Sequence, residues 1–182
     1  MRLLITGGAG FIGSHLIKAL LDQKHNVIAV DTHSSDHNNL AFIKTHSNKH
    51  LFKFIQGDIT NKTLCHEICK NTDYILHHAA YISVAESIEN PKKYLKNNVE
   101  STLNLLTEAV KNKCKKFIFS SSAAIYGNSQ NLPLLETEKP HPLSPYAIDK
   151  ISAEYYCNYF NHLYQLPTDR KSTRLTSHLV IS

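Results

Sequence analysis

Gly7-Gly8-Ala9-Gly10-Phe11-Ile12-Gly13 follows the apolar run Leu3-Leu4-Ile5-Thr6 and opens a segment with Ile12, Leu16, Ala19 and Leu20 at helical spacing. The string fits G-x-x-G-x-x-G through Gly7, Gly10 and Gly13, and G-x-G-x-x-G through Gly8, Gly10 and Gly13. Alone it says little, because a glycine turn also serves simply to pack a helix on a strand. Between a strand and a helix it becomes a phosphate cradle, in which the backbone turns tightly and a pyrophosphate can approach helix amides that lack intrahelical acceptors. A second strand, Asn26-Val27-Ile28-Ala29-Val30, ends at Asp31, 18 residues beyond Gly13, the reach expected of a carboxylate that accepts hydrogen bonds from a ribose. No Arg or Lys follows it in Thr32-His33-Ser34-Ser35, so a 2′-phosphate would face a carboxylate without a counter-charge. These residues favour NAD over NADP, with Gly7, Gly10, Phe11, Ile12, Gly13 and Asp31 as its binding residues.

Outward from this turn, short apolar runs alternate with helical patterns. Leu51–Ile55, Tyr74–His77 and Lys116–Ser120 read as further buried parallel strands, five in all. Helices are predicted over Phe11–Gln23, over a long stretch opened by Pro91, and over Pro145–Leu163. The Pro91 helix carries Tyr94, Leu95, Val99, Leu103, Leu106 and Val110 as an apolar stripe. Strand and helix in alternation specify an α/β doubly wound parallel sheet, the NAD(P)-binding Rossmann fold, with right-handed crossovers.

Composition narrows the function classes. The chain has 182 residues, a formal charge of +5 and 42% hydrophobic residues, enough for one globular domain with a sizeable core. No apolar run approaches the roughly 18 to 20 residues that span a bilayer, and no signal peptide is evident, so a cytoplasmic address and no membrane partner are expected. The basic residues are mostly scattered lysines without interleaved aromatics, which argues against nucleic acid. Cys65, Cys69, Cys114 and Cys157 are too sparse for a disulfide framework. Cys65 with Cys69, His33 with His37 and His46 with His50 are each four apart but lack partner pairs at finger-like spacing, so no metal site is expected and solvated helix faces account for them. No G-x-S-x-G nucleophile elbow is present.

Tyr146 and Lys150 lie four apart at the start of the Pro145 helix, on one face. A tyrosine is a poor base near neutral pH, but a neighbouring ammonium and an oxidised nicotinamide favour its phenolate, which could take the proton from an alcohol as hydride leaves. Upstream, Ser120-Ser121-Ser122 closes the fifth strand, at the end where parallel sheets bind ligands. Ser122 could hydrogen-bond the reacting oxygen, although a serine run also satisfies turn backbone.

Taken together, Met1 to Thr168 resembles the extended short-chain dehydrogenases/reductases, and within them the NAD-dependent nucleotide-sugar epimerase/dehydratase group. The resemblance implies further cofactor residues: Asp58 and Ile59 on the adenine side, His78, Ala79 and Ala80 beside the nicotinamide ribose, and Asn98, together with Tyr146 and Lys150. It implies Ser122, Tyr146 and Lys150 as the catalytic set, Ser83, Ser122 and Tyr146 as substrate contacts, a UDP-sugar as substrate, and a homodimer through the Pro91 and Pro145 helices. Dehydratases of the group place an acidic pair after the active-site hydroxyl, where this chain has Ala123 and Ala124. The resemblance therefore implies C4 epimerisation of a UDP-hexose: Tyr146 removes the hydroxyl proton, hydride passes to NAD, the keto sugar turns over, and hydride returns to the other face. The alternatives are a dehydratase or NAD(P)-dependent reductase of the same family, and a non-catalytic NAD-binding fragment or scaffold.

Members of the group continue into a second, substrate-binding lobe that is missing here. Two of the three arginines fall in the last 13 residues, and residues 169–182 depart from the family wording. Two regions are expected: a Rossmann domain over 1–168, and an atypical 169–182 tail that reads as foreign sequence, in which Leu175–Ile181 has strand character. Little epimerase activity is expected from the polypeptide by itself.

Overall fold

The computed structural model describes residues 1–33, 38–130 and 133–171. Six parallel strands, β1 (Arg2–Thr6), β2 (Asn26–Asp31), β3 (Phe52–Gln56), β4 (Tyr74–His77), β5 (Lys116–Ser120) and β6 (Thr168–Lys171), form one sheet in the order β3-β2-β1-β4-β5-β6. This is a doubly wound Rossmann sheet. The sixth strand, not among the five expected, pairs with β5 from Phe117↔Thr168 to Ser120↔Lys171. The stretch Leu175–Ile181 lies outside the described residues.

Alternation along the strands builds the two cores. On one face Leu4, Ile28, Val30, Ile75, Phe117 and Phe119 meet side chains of α2 (Lys62–Cys69), α5 (Ser101–Lys111) and α6 (Pro145–Tyr164). On the other, Leu3, Ile5, Val27, Ala29, Leu76 and Ile118 meet α1 (Phe11–Asp22). Period-two alternation of uniformly apolar strands requires cover on both faces, and the helices supply it.

Three helical details differ from the sequence pattern. The buried face of α1 is Gly13, Ser14, Ile17, Leu20 and Leu21, and Ala19 is exposed. The turn needs Gly13 and Ser14 against the sheet, which rotates the helix away from the Ile12–Ala19 stripe. The predicted Pro91 helix is continuous but not uniform: α4 (Pro91–Leu95) passes through a π-helical turn, Lys96–Glu100, into α5. The extra residue breaks the 3.6-residue register, so Tyr94 and Val99 are buried while Leu95 is exposed. Cys65 and Cys69 lie in the core rather than on a solvated face, with Cys65 Sγ donating to Ile59 O at 3.1 Å. Burial pushes both thiols up, Cys65 to about 12. His46 bonds Asp22, and His37 lies outside the described residues. Among the described residues no cluster could hold a metal ion, and no helix is long and apolar enough to cross a membrane.

Candidate active site

The chain leaves β1 toward β2 and β3 on one side, then returns to β4, β5 and β6 on the other. The crevice at this switch, at the carboxyl ends of the strands, is where such sheets bind ligands. Here it holds a cleft of ≈ 570 Å³ that runs from Asp31 and Asp58 past the glycine turn to Ser122, Tyr146 and Lys150.

At the near end the glycine turn is held from both sides. Gly7 has φ +70°, and a Cβ there would lie 2.8 Å from Ala79 N. Its own amide donates to Val30 O at 2.9 Å. Gly10 precedes α1 without a side-chain cap, and no acidic residue sits in the first helical turn. Phe11, Ile12 and Gly13 therefore bring uncapped first-turn backbone to the cleft, an arrangement suited to a phosphate. Asp31 Oδ2 accepts from Ala9 N at 3.0 Å, which ties the end of β2 to the turn. Its Oδ1 accepts from the His33 backbone N–H at 3.1 Å and lies 3.0 Å from His33 Nδ1. Asp58 and Ile59 also line the cleft, with Asp58 Oδ1 accepting from Thr60 N at 2.8 Å. The residues present thus fit a dinucleotide: bare helix amides, a side-chain-free approach at Gly10, and a carboxylate at the lip.

At the far end, Ser144 caps α6 by accepting from Ala147 N at 3.2 Å, and Pro145 occupies the first turn. This start places Tyr146 and Lys150 on the cleft wall. Lys150 is nearly fully buried; its Nζ donates to Ser120 O at 2.9 Å and sits 4.8 Å from the Phe119 ring centroid and 5.9 Å from that of Tyr146. Burial lowers its pKa to about 8, against the opposing pull of Asp149 and Glu154. Ser122 lines the cleft and caps the short turn Ala123–Tyr126, accepting from Ala124 N at 3.2 Å. A hydroxyl so engaged keeps its proton for another acceptor.

Two expected contacts fall elsewhere. Ser83 is exposed outside the cleft lining and caps α3 (Val84–Glu89), its Oγ accepting from Glu86 N at 3.2 Å. Its hydroxyl keeps a proton, as that of Ser122 does, but it stands outside the cleft lining. Asn98 lies beneath the lining, 3% exposed, with Oδ1 accepting from Tyr81 N at 2.9 Å and Nδ2 donating to Tyr81 O at 3.1 Å. Its neighbour Asn97 lines the cleft, as do Tyr81 and Ile82, which the sequence did not single out for a role. Asp149 was also missed: it is 3% exposed, its Oδ2 is buried with no hydrogen-bond partner, and burial raises its pKa to about 6. Its place beside Lys150 was the available signal.

Buried His77 and Asp149 and partly buried His78 make stability depend on pH with opposite signs. Burial, then Lys150, lowers His78 from 6.5 to about 4, so its contribution is complete above pH 6.5 and is lost as pH falls toward 4. His77, held well below the ordinary imidazole value for the same leading reason, acts in the same sense. Asp149, raised from 3.8 to about 6, acts oppositely: its contribution is complete below pH 3.8 and is lost as pH rises through 6. The His78 and Asp149 contributions nearly offset each other and His77 adds to the histidine side, so a net loss of stability as pH falls from 6.5 to 4 is expected. Urea melts across this range should be flatter for His78→Gln and steeper for Asp149→Asn.

The glycine-turn cleft with its tyrosine and lysine can be set beside known proteins. The model of the NAD dependent epimerase/dehydratase family matches residues 3–178. The chain belongs to this family. It is 37% identical over 158 residues to a UDP-glucose 4-epimerase of Yersinia enterocolitica, covering 85% of this chain and 47% of the relative. Among solved structures, the UDP-glucose 4-epimerase of Thermotoga maritima with UDP-glucose superposes with a TM-score of 0.84 at 39% identity, covering 93% of this chain and 54% of that one. A dTDP-glucose 4,6-dehydratase of Streptomyces venezuelae with NAD and TYD bound gives a TM-score of 0.85 at 30% identity, covering 94% and 55%. The chain thus spans about half the length of the relatives it matches.

Proposed function

We propose that the cleft binds NAD and serves the C4 epimerisation of a UDP-hexose. The observation that carries this reading is the Tyr146 and Lys150 pair, one helical turn apart, on the wall of the same cleft as the uncapped glycine turn. When bound, NAD supplies a reversible acceptor for hydride. The chain's own residues then hold the pyrophosphate on the amides after Gly10, hold the adenosine ribose at Asp31, and handle the proton at the far end. Tyr146 takes the proton of the C4 hydroxyl and returns it, Lys150 favours the phenolate and reaches the cofactor ribose, and Ser122 donates to the same sugar oxygen. Ala79 and Ala80 border the nicotinamide side. Family likeness alone leaves a dehydratase open, since one is among the structural relatives. Ala123 and Ala124 weigh against it, because neither side chain can transfer the proton that loss of water requires.

A single-turnover reaction, with NAD-loaded protein in excess over UDP-galactose and the sugars separated by chromatography, tests the reading without sustained activity; UDP-glucose supports it, and a 4-keto-6-deoxy sugar would instead support the dehydratase. For the partner we propose a second copy of the chain. Ile148, Tyr155, Tyr159 and Leu163 form an exposed apolar row along α6, with Leu95 exposed on α4. An isologous contact would cover such a row. Sedimentation velocity should show a dimer, and Tyr155→Glu with Tyr159→Glu should shift it to monomer.

A further inference from the structure

Beneath the cleft floor runs a buried chain of polar groups whose hydrogens follow from donor counting. Thr6 ends β1 and His77 ends β4, partners in the parallel register. Thr6 Oγ1 accepts from His78 N at 3.2 Å and Ala79 N at 3.1 Å, and it lies 2.6 Å from His77 Nδ1. A hydroxyl has two lone pairs and one proton. The His78 amide is shared with Thr6 O, also at 3.2 Å, so the deciding constraint lies at the other ring nitrogen: the Thr102 hydroxyl spends its proton on Asn98 O, its oxygen is left to accept from the ring, and the Thr6 proton faces a bare Nδ1. The ring proton therefore sits on Nε2, which donates to Thr102 Oγ1 at 2.9 Å, and the Thr102 hydroxyl donates to Asn98 O at 2.6 Å. Thr6 and Thr102 are fully buried and His77 is 1% exposed. Burial holds His77 well below the ordinary imidazole value, in keeping with a ring that carries one proton.

The chain ends at the π-helical turn. A π-turn shifts backbone acceptors out of α-helical register, and hydroxyls one turn on can bond them. Ser101 Oγ donates to Asn97 O, and Thr102 Oγ1 to Asn98 O. The same turn holds the Asn98 amide against both backbone groups of Tyr81. The two ends of the chain thus grip one loop: Thr6 holds the amides of His78 and Ala79, and Asn98 holds Tyr81. All four residues of that loop, His78 to Tyr81, line the cleft, whereas His77 does not.

We propose that His77 is a positioning residue: by joining Thr6 to Thr102 and Asn98, it fixes the loop His78–Tyr81 that borders the reacting end of the cofactor. The inference rests on the NAD reading for its consequence and on the hydrogen-bond geometry for its mechanism, so the two are tested apart. In ¹⁵N NMR the wild-type His77 ring should show Nε2 protonated and Nδ1 bare. Thr102→Val keeps the shape and removes the hydroxyl. It should speed amide exchange at Ala79 and Tyr81 about tenfold and raise the Kd for NADH by a similar factor. Thr102→Ser restores the hydroxyl and should stay within about twofold of wild type. An Nδ1–H ring overturns the proposal even where the valine variant does not fold. So does a Thr102→Val protein with wild-type loop exchange, or a Thr102→Ser protein as impaired as the valine variant, which would mean that methyl packing alone matters. A wild-type protein that binds no NADH defeats the cofactor reading, while ring tautomer and loop exchange still decide the relay.

Discussion

Replacing Gly13 by alanine is expected to remove about 3 kcal/mol of stability and cofactor binding together, whereas Gly10→Ala should remove binding alone. A Cβ on Gly13 would lie 2.3 Å from Gly7 O and 2.8 Å from Gly8 Cα, both backbone atoms. The obstructing backbone cannot retreat that far, since Gly7, at φ +70°, has no room even for a Cβ beside Ala79 N. Gly10 differs. Its φ of −71° suits any residue, and an added Cβ would meet only Gly7 O, at 3.2 Å. A methyl there asks Gly7 O to give by only a few tenths of an ångström, which costs within about 1 kcal/mol and far less than at Gly13, but it stands where a pyrophosphate would approach the first-turn amides. Denaturant melts and NADH titration of the two variants separate these effects. Gly10→Ala should keep its melting midpoint and lose at least about tenfold in NADH affinity. Undiminished affinity would mean that the phosphate does not sit on this turn.

Tyr146→Phe is expected to leave NADH binding within about threefold of wild type and to slow proton-coupled hydride exchange by about 10²–10⁴-fold. The ring is 7% exposed, so the phenylalanine keeps its packing and only the proton-transferring oxygen is lost. The measurement is the second-order rate at which UDP-glucose or UDP-galactose reduces protein-bound NAD, read at 340 nm. It requires a single encounter at the cleft and no sustained turnover. Equal rates for the two proteins would take the base away from Tyr146. With the Lys150 pKa lowered to about 8, its ammonium still predominates at pH 7, so the electrostatic help proposed for the phenolate is in place there.

The parts legible in the sequence were those with a local physical signature. A glycine turn between an apolar run and a helix, and a carboxylate at the end of the next strand, announce the cleft because backbone sterics and chain reach fix both. Tyr146 and Lys150 were legible for the same reason, since a spacing of four sets them on one face of a helix. Ser83 was less legible, because a serine before a short helix reads alike as cap or contact. The short strand Thr168–Lys171 was missed because its residues, Thr-Asp-Arg-Lys, carry no apolar pattern; pairing with β5 makes it a strand, and Arg170 finds Glu154 at 3.0 Å. The relay through Thr6, His77, Thr102 and Asn98 joins residues up to about a hundred positions apart, with no spacing to reveal them. Only the meeting of two strand ends with a π-helical turn brings them together.

Isothermal titration with NAD⁺ and NADP⁺ tests the central claim most directly. The account predicts saturable one-to-one binding of NAD⁺, at least about tenfold tighter than NADP⁺, because Asp31, in its proposed role on the cleft wall, would accept ribose hydroxyls and repel a 2′-phosphate. No saturable binding, or NADP⁺ bound as tightly as NAD⁺, would contradict it.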